Sequence, residues 1–155
     1  MPLDYLPIMN ANRAGAPRTV VSSQQTAWTP APAHLGSARV GLLTSAAVRH
    51  VNQPAFERTS DASYRAVPFD VDASELRLDH RSPIGSDART DLEIVVPRHA
   101  LAELAQQGMV GSIAPLFFSF VGGTEVQQQV EDQLAPALAG ELHALGVQLA
   151  ILVPY

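Results

Sequence analysis

The 155 residues are 46% hydrophobic with a formal net charge of −5, the balance of one globular domain with a sizeable core, and a poor match to nucleic acid or an anionic membrane. Cysteine and lysine are both absent, and all ten basic residues are arginine. That excludes a thiolate nucleophile, a disulfide, a Schiff-base lysine and a P-loop lysine from these residues.

Residues 1–37 are rich in Pro, Ala, Ser and Gln and show little periodicity. They read as an irregular arm, with a short strand at Thr19, Val20 and Val21 and with Trp28 as the anchor that docks it or, alternatively, as a partner-binding knob. The ordered domain is expected over 38–155. The run 39–44 (Arg-Val-Gly-Leu-Leu-Thr) has the apolar continuity of a buried parallel strand. Residues 52–63 are polar and contain Pro54, hence loop. Residues 63–68 and 75–80 alternate as strands do, residues 81–90 read as loop, and 91–96 (Asp-Leu-Glu-Ile-Val-Val) read as a third strand closed by Pro97.

Pro97 stands where a helix can begin, Leu101, Leu104 and Ala105 form its apolar stripe, and Gly108 fits its end. The aromatic run 116–121 leads into Gly122 and Gly123. Thr124 with Gln127 forms a capping-box start. Val126, Val130, Leu134, Leu138, Leu142 and Leu145 then make one helical face, which Pro136 and Gly140 should kink or break. Gly146 ends that helix, and the residues from there to Tyr155 run into a final buried strand. Strands joined by helices predict an α/β fold: a single open, mostly parallel sheet with flanking helices, mixed edge strands near 63–80 and an irregular N-terminal arm.

No stretch reaches the roughly 18 consecutive apolar residues of a membrane span, and the first residues lack a basic region followed by an apolar one. A cytoplasmic protein without membrane contact is expected. In open α/β sheets ligands bind beyond the carboxyl ends of the strands, so a site is expected at those ends.

The densest polar cluster lies at 79–91. His80 with Asp87 or Asp91 makes a candidate general base with an orienting carboxylate, or weakly, through His80 and Asp87, a metal pair, although no metal-ligand spacing supports one. The plainer alternative is a solvated turn whose Asp and Ser side chains cap local backbone. Ser119 is a further catalytic candidate, but it lacks the G-x-S-x-G surroundings of a serine hydrolase. Gly122 and Gly123 open a helix whose N–H groups could hold a carboxylate, or they simply make the turn. Thr44 and Ser45 follow the first strand as candidate substrate contacts. His50, Arg65 and Arg89 are candidate partners for a substrate carboxylate, whereas His34, His99 and His143 read as surface residues.

Six blocks occur in order: 40–48 (Val-Gly-Leu-Leu-Thr-Ser-Ala-Ala-Val), 61–68 (Asp-Ala-Ser-Tyr-Arg-Ala-Val-Pro), Asp79-His80, 91–104 (Asp-Leu-Glu-Ile-Val-Val-Pro-Arg-His-Ala-Leu-Ala-Glu-Leu), 111–115 (Gly-Ser-Ile-Ala-Pro) and 118–123 (Phe-Ser-Phe-Val-Gly-Gly). Together they resemble the selenoprotein B family of the glycine, sarcosine, betaine and D-proline reductases, over roughly residues 27–155. The resemblance implies reductive cleavage of a carbon–nitrogen bond in a small amino acid or amine. It also implies a selenocysteine-x-x-cysteine or cysteine-x-x-cysteine pair after the last strand, which Leu152-Val153-Pro154-Tyr155 would approach.

Two departures from the family pattern alter the expected pocket: Leu116 and Phe117 stand where basic and imidazole side chains are usual, and Ala46-Ala47 where a glycine is usual. No cofactor is predicted; an active reductase would take its redox pair from beyond Tyr155 or from another chain. A partner subunit near the C-terminal strand, and a homo- or hetero-oligomer, are expected. Two other functions stay open: a divergent non-redox enzyme using His and Asp acid–base or metal chemistry, and a non-catalytic subunit.

Overall fold

The computed structural model describes residues 29–57, 60–80, 86–123 and 126–155. Every element below belongs to the unit Ala31–Tyr155. The short strand expected at 19–21, Trp28 and the capping residue Thr124 lie outside the described residues.

That unit is built around β1 (Arg39–Thr44), five of whose six residues are buried. Along its whole length β1 pairs in parallel with β7 (Leu149–Val153), from Val40 opposite Leu149 to Thr44 opposite Val153. It also pairs in parallel with β5 (Ser112–Ile113) at Arg39 and Val40, and with β6 (Leu116–Phe120) at Leu43 and Thr44. Because β7 fills one edge, β5 and β6 share the other, one after the other. Ala114 and Pro115 separate them, and Pro115 has no N–H to place in a ladder. The outer strand β3 (Tyr64–Pro68) runs antiparallel to β6. The mostly parallel sheet with an antiparallel edge is the α/β architecture the sequence predicts.

Two differences concern that edge. A short strand after the β1 turn, β2 (Val48–His50), pairs antiparallel with β4 (Leu76–Leu78) in a second sheet. The 63–80 region therefore contributes one strand to the main sheet and one to a separate ribbon. In addition, 91–96 is not a strand. Leu92–Ile94 form a 3-10 turn, started by the Asp91 carboxylate accepting from the Glu93 N–H at 3.0 Å. A side-chain cap of this kind offers the backbone an alternative to a ladder, and a short apolar run does not by itself distinguish strand from buried turn. Val95 and Val96 still enter the core, fully buried. Within the expected loop 81–90, Ser86–Thr90 form a short helix, α1.

Both faces of the main sheet are covered, which is why its strands read as apolar runs rather than alternations. Side chains alternate across a strand, so Val40 and Leu42 join one core with Val48, Val67, Val95, Val96, Leu101 and Phe117. Leu43 and Phe118 point the other way and join Leu134 and Leu138. The first core is closed by α2 (Arg98–Gln106), which follows Pro97 and ends at Gly108 with φ +70°. The Glu93 carboxylate accepts the His99 N–H at 2.8 Å and so covers a free donor of its first turn.

The second core is closed by the helix that runs as α3 (Gln127–Gln129), a π-helical segment (Val130–Leu134) and α4 (Ala135–Ala144). Pro136 and Gly140 do not interrupt it. Pro136 sits in the first turn of α4, directly after the π-helical stretch, so its missing N–H is accommodated by a change of helical pitch rather than a break. Gly41 lets this helix come close: a methyl there would meet Leu142 at 2.9 Å and Val147 at 3.0 Å. Gly146, at φ +68°, ends the helix, and the Arg39 guanidinium donates to the Leu145 carbonyl at 2.8 Å, placing a cation at the negative end of the helix dipole. Among the described residues no helix is long and apolar enough to cross a membrane.

Candidate site at the strand ends

The carboxyl ends of β1, β6 and β7 meet at Ser45. Its backbone N–H donates to the Val153 carbonyl at 3.1 Å, and its carbonyl accepts from the Gly122 N–H at 3.0 Å. Its hydroxyl accepts from the Tyr155 N–H at 2.9 Å and lies 3.4 Å from the Tyr155 carbonyl. Thr44, fully buried, accepts from the Ala46 N–H through its side chain at 3.2 Å. Thr44 and Ser45 therefore hold the chain as it leaves β1, and Ser45 is half-buried at the surface of that junction.

The turn continues through Ala47, at φ +56°. Only glycine enters this region freely, and Ala46-Ala47 is where the sequence resemblance leads one to look for a glycine. The conformation is held by the Ala47 N–H donating to Phe120 at 3.0 Å, by its carbonyl accepting from Asp79 at 3.0 Å and by an Ala46–Val121 bridge. Its methyl is buried with Phe56 and Val121.

The Ala47–Asp79 bond carries His80 to the same edge. The Asp79 carboxylate is fixed by the Arg49 guanidinium at 2.8 Å and the Phe56 N–H at 2.9 Å. The imidazole of His80 packs against the Tyr155 ring at 4.8 Å, and its carbonyl accepts from Arg89 at 2.8 Å. Burial, with the nearby Arg89 charge second, holds the imidazole below its ordinary pKa. A depressed folded pKa means that stability is complete above the ordinary imidazole value and is lost as pH falls from that value toward the folded one. The expected result is a melting temperature that declines between about pH 7 and pH 5. The decline should be shallower in His80→Gln, measured by thermal unfolding across that range; equal slopes would show that His80 is not the titrating group.

Gly122 and Gly123 form the exposed rim. A methyl on Gly122 would meet the Ser45 side chain at 2.8 Å, whereas one on Gly123 would have nothing within 4 Å. The rim is thus closed on the Ser45 side and, among the described residues, open above Gly123.

Other candidates are placed elsewhere or wholly enclosed. Ser119 is fully buried, and its hydroxyl accepts from the Val48 N–H at 2.7 Å, joining β6 to β2. Arg65 lies with its guanidinium 4.2 Å over the Phe56 ring. It donates to the carbonyls of Pro54 and Tyr64 and to Ser63 Oγ, with Asp61 at 4.0 Å. His50 accepts from the Asn52 N–H through Nδ1 and faces Glu75 at 3.6 Å. Asp91 caps the 3-10 turn, and Asp87 is exposed in the first turn of α1. His34, His99 and His143 are exposed. Among the described residues no three His, Cys, Asp or Glu side chains gather as a metal-holding group.

Leu116 and Phe117, the departures from the family pattern, stand at the amino end of β6. Phe117 is fully buried and Leu116 packs on the second core, so both serve packing. The residues that sequence reasoning passed over are Asp79, Ala47 and Tyr155, which together bring His80 to the rim. The missing glycine at 46–47 was the one signal for Ala47; Asp79 stood in the polar cluster and in the Asp79-His80 block, but nothing there signalled its role as a through-space anchor.

No family model matches the chain, and no solved structure matches it. D-proline reductase subunit gamma of Acetoanaerobium sticklandii is 27% identical over 125 residues, which cover 81% of this chain and 52% of that protein. The chain is distantly related to the proline reductase family. It spans about half the length of the relative it matches, and that relative is by its name one subunit of a reductase.

Proposed function

We propose that this protein is a component of an amino-acid or amine reductase of the selenoprotein B kind, and that it holds a small substrate at the rim formed by Ser45, His80, Gly122 and Gly123. The similarity to a D-proline reductase subunit over 125 residues carries this reading. It is supported by the position of the rim at the carboxyl ends of parallel strands, where α/β folds bind ligands.

Reductive cleavage of a carbon–nitrogen bond consumes two electrons and two protons; the carbon gains one hydrogen and the nitrogen the other. A dithiol, or a selenol with a thiol, supplies both electrons as it closes to the oxidised pair. With no cysteine among the 155 residues, that pair comes from sequence outside them or from another subunit. Among the described residues nothing stands within 4 Å of a methyl placed on Gly123, which leaves room for substrate there, while the Gly122 N–H is already held by the Ser45 carbonyl. His80, kept neutral near pH 7 by burial, takes a proton from an incoming thiol and so raises its thiolate fraction. The exposed Leu152 of β7, 66% accessible, suits a subunit contact beside the rim.

The test is calorimetric titration with D-proline, sarcosine, glycine and betaine. At least one should bind saturably, and Gly123→Leu, which fills the open side of the rim, should weaken it at least about tenfold (about 1.4 kcal/mol). Ring opening of D-proline to 5-aminopentanoate should follow once a thiol- or selenol-bearing subunit is added. Absence of binding by all four would remove the substrate-holding role and favour a non-catalytic subunit.

A further inference from the structure

A cavity of about 470 Å³ lies between the Ala73–Glu75 turn, the residues after α1 and the start of α2. None of Thr44, Ser45, Ser119, Gly122 or Tyr155 lines it. Three of the ten arginines of this acidic chain do: Arg77, Arg89 and Arg98.

Arg98 is 8% exposed. Its Nη1 donates to the carbonyls of Phe69 at 3.1 Å and Val71 at 2.5 Å, while its Nε, wholly buried, has no hydrogen-bond partner among the described residues. The Glu93 carboxylate stands 4.0 Å away, beyond hydrogen-bond reach. That carboxylate is already engaged with the His99 N–H at 2.8 Å and the His99 ring at 3.3 Å. Glu93 and, at longer range, Asp72 offset part of the Arg98 charge; the part that remains, set in a low-dielectric wall, adds positive potential to the cavity.

The other two arginines add to the field. Arg77 donates to the carbonyls of Ser74 and Leu76, each at 2.7 Å, and Arg89 to that of His80. Among the described residues neither is within ion-pair distance of a carboxylate. The backbone bonds fix each guanidinium by one nitrogen and leave the rest of the fork for an oxyanion. Of the two acidic groups at the cavity wall, Asp91 is committed to the Glu93 N–H and Glu93 to His99.

We infer that this cavity binds a small oxyanion-bearing molecule, a carboxylate or a phosphate, through Arg77 and Arg89, with Arg98 supplying charge from behind. The cavity is distinct from the rim, but Arg89 also donates to the His80 carbonyl, so Arg77→Gln, which touches no rim residue, is the variant that separates failure of this inference from failure of the reductase reading.

Malonate and inorganic phosphate, each titrated calorimetrically at constant ionic strength, are the probes. Saturable binding of either one, weakened about tenfold or more in Arg77→Gln/Arg89→Gln, supports the site. Phosphate alone binding assigns a phosphorylated ligand, and malonate alone a carboxylate. Both arginines are exposed, so the variant should keep its fold; the single Arg77→Gln exchange serves if the pair does not. Binding unchanged by the substitutions, or a response that sodium chloride reproduces, would overturn the inference.

Discussion

Phe118→Ala is expected to lower the unfolding free energy by about 3–5 kcal/mol, the largest loss available from one side chain of the second core. Phe118 is fully buried in the middle of β6, opposite Leu43 of β1. Among the described residues it packs with the buried Leu43, Leu134 and Leu138 and with a surrounding layer of partly buried hydrophobics from β3, β6 and the helix, so its removal leaves a cavity shared by sheet and helix. The Tyr64 ring meets it edge-on at 5.8 Å, and the Tyr64 hydroxyl donates to Glu141 at 2.7 Å, tying β3 to α4. Removing the ring therefore loosens sheet and helix together. Domain stabilities of about 5–15 kcal/mol leave little after such a loss. Urea unfolding followed by circular dichroism measures it. A cost below about 1 kcal/mol would mean that α4 collapses onto the sheet and that this core is poorly packed.

The second large effect is expected at the rim. Gly122→Ala should cost about 1–3 kcal/mol and impair substrate binding, because the added methyl would stand 2.8 Å from both Cβ and Oγ of Ser45. Ser45 cannot yield without giving up its bond to the Tyr155 N–H. The same argument predicts a rescue: in a Ser45→Gly background the alanine should cost at least about 1 kcal/mol less, a coupling that a double-mutant cycle reads directly. Additive effects would place the strain elsewhere. Gly123→Ala, whose methyl would meet none of the described residues within 4 Å, should leave stability within about 0.5 kcal/mol.

The rim and the fold differ in how far the amino-acid order disclosed them. The runs at β1, β6 and β7 were readable because a strand buried on both faces needs apolar residues at successive positions. The helix ends at Gly108 and Gly146 were readable because a positive φ selects glycine. Asp91–Val96 misled, since its apolar content was right for burial while one carboxylate decided the backbone shape. The two-stranded ribbon of β2 and β4 was hidden for another reason: three residues carry no period long enough to register, and their partner lies in a different part of the chain.

The chemistry divides similarly. The absence of cysteine and lysine settles from composition alone which nucleophiles these residues lack. The ordered blocks point to a reductase relationship, which the 27% identity to a D-proline reductase subunit supports at a distance. That Ser45 joins three strand ends, that Ser119 and Arg65 are committed to internal bonds, and that Arg77, Arg89 and Arg98 surround one cavity came only from the tertiary structure. Local sequence controls backbone preference and which faces are apolar, because those depend on neighbours along the chain. Which polar side chains meet depends on how separate elements dock, and nothing in the order of residues encodes that distance directly.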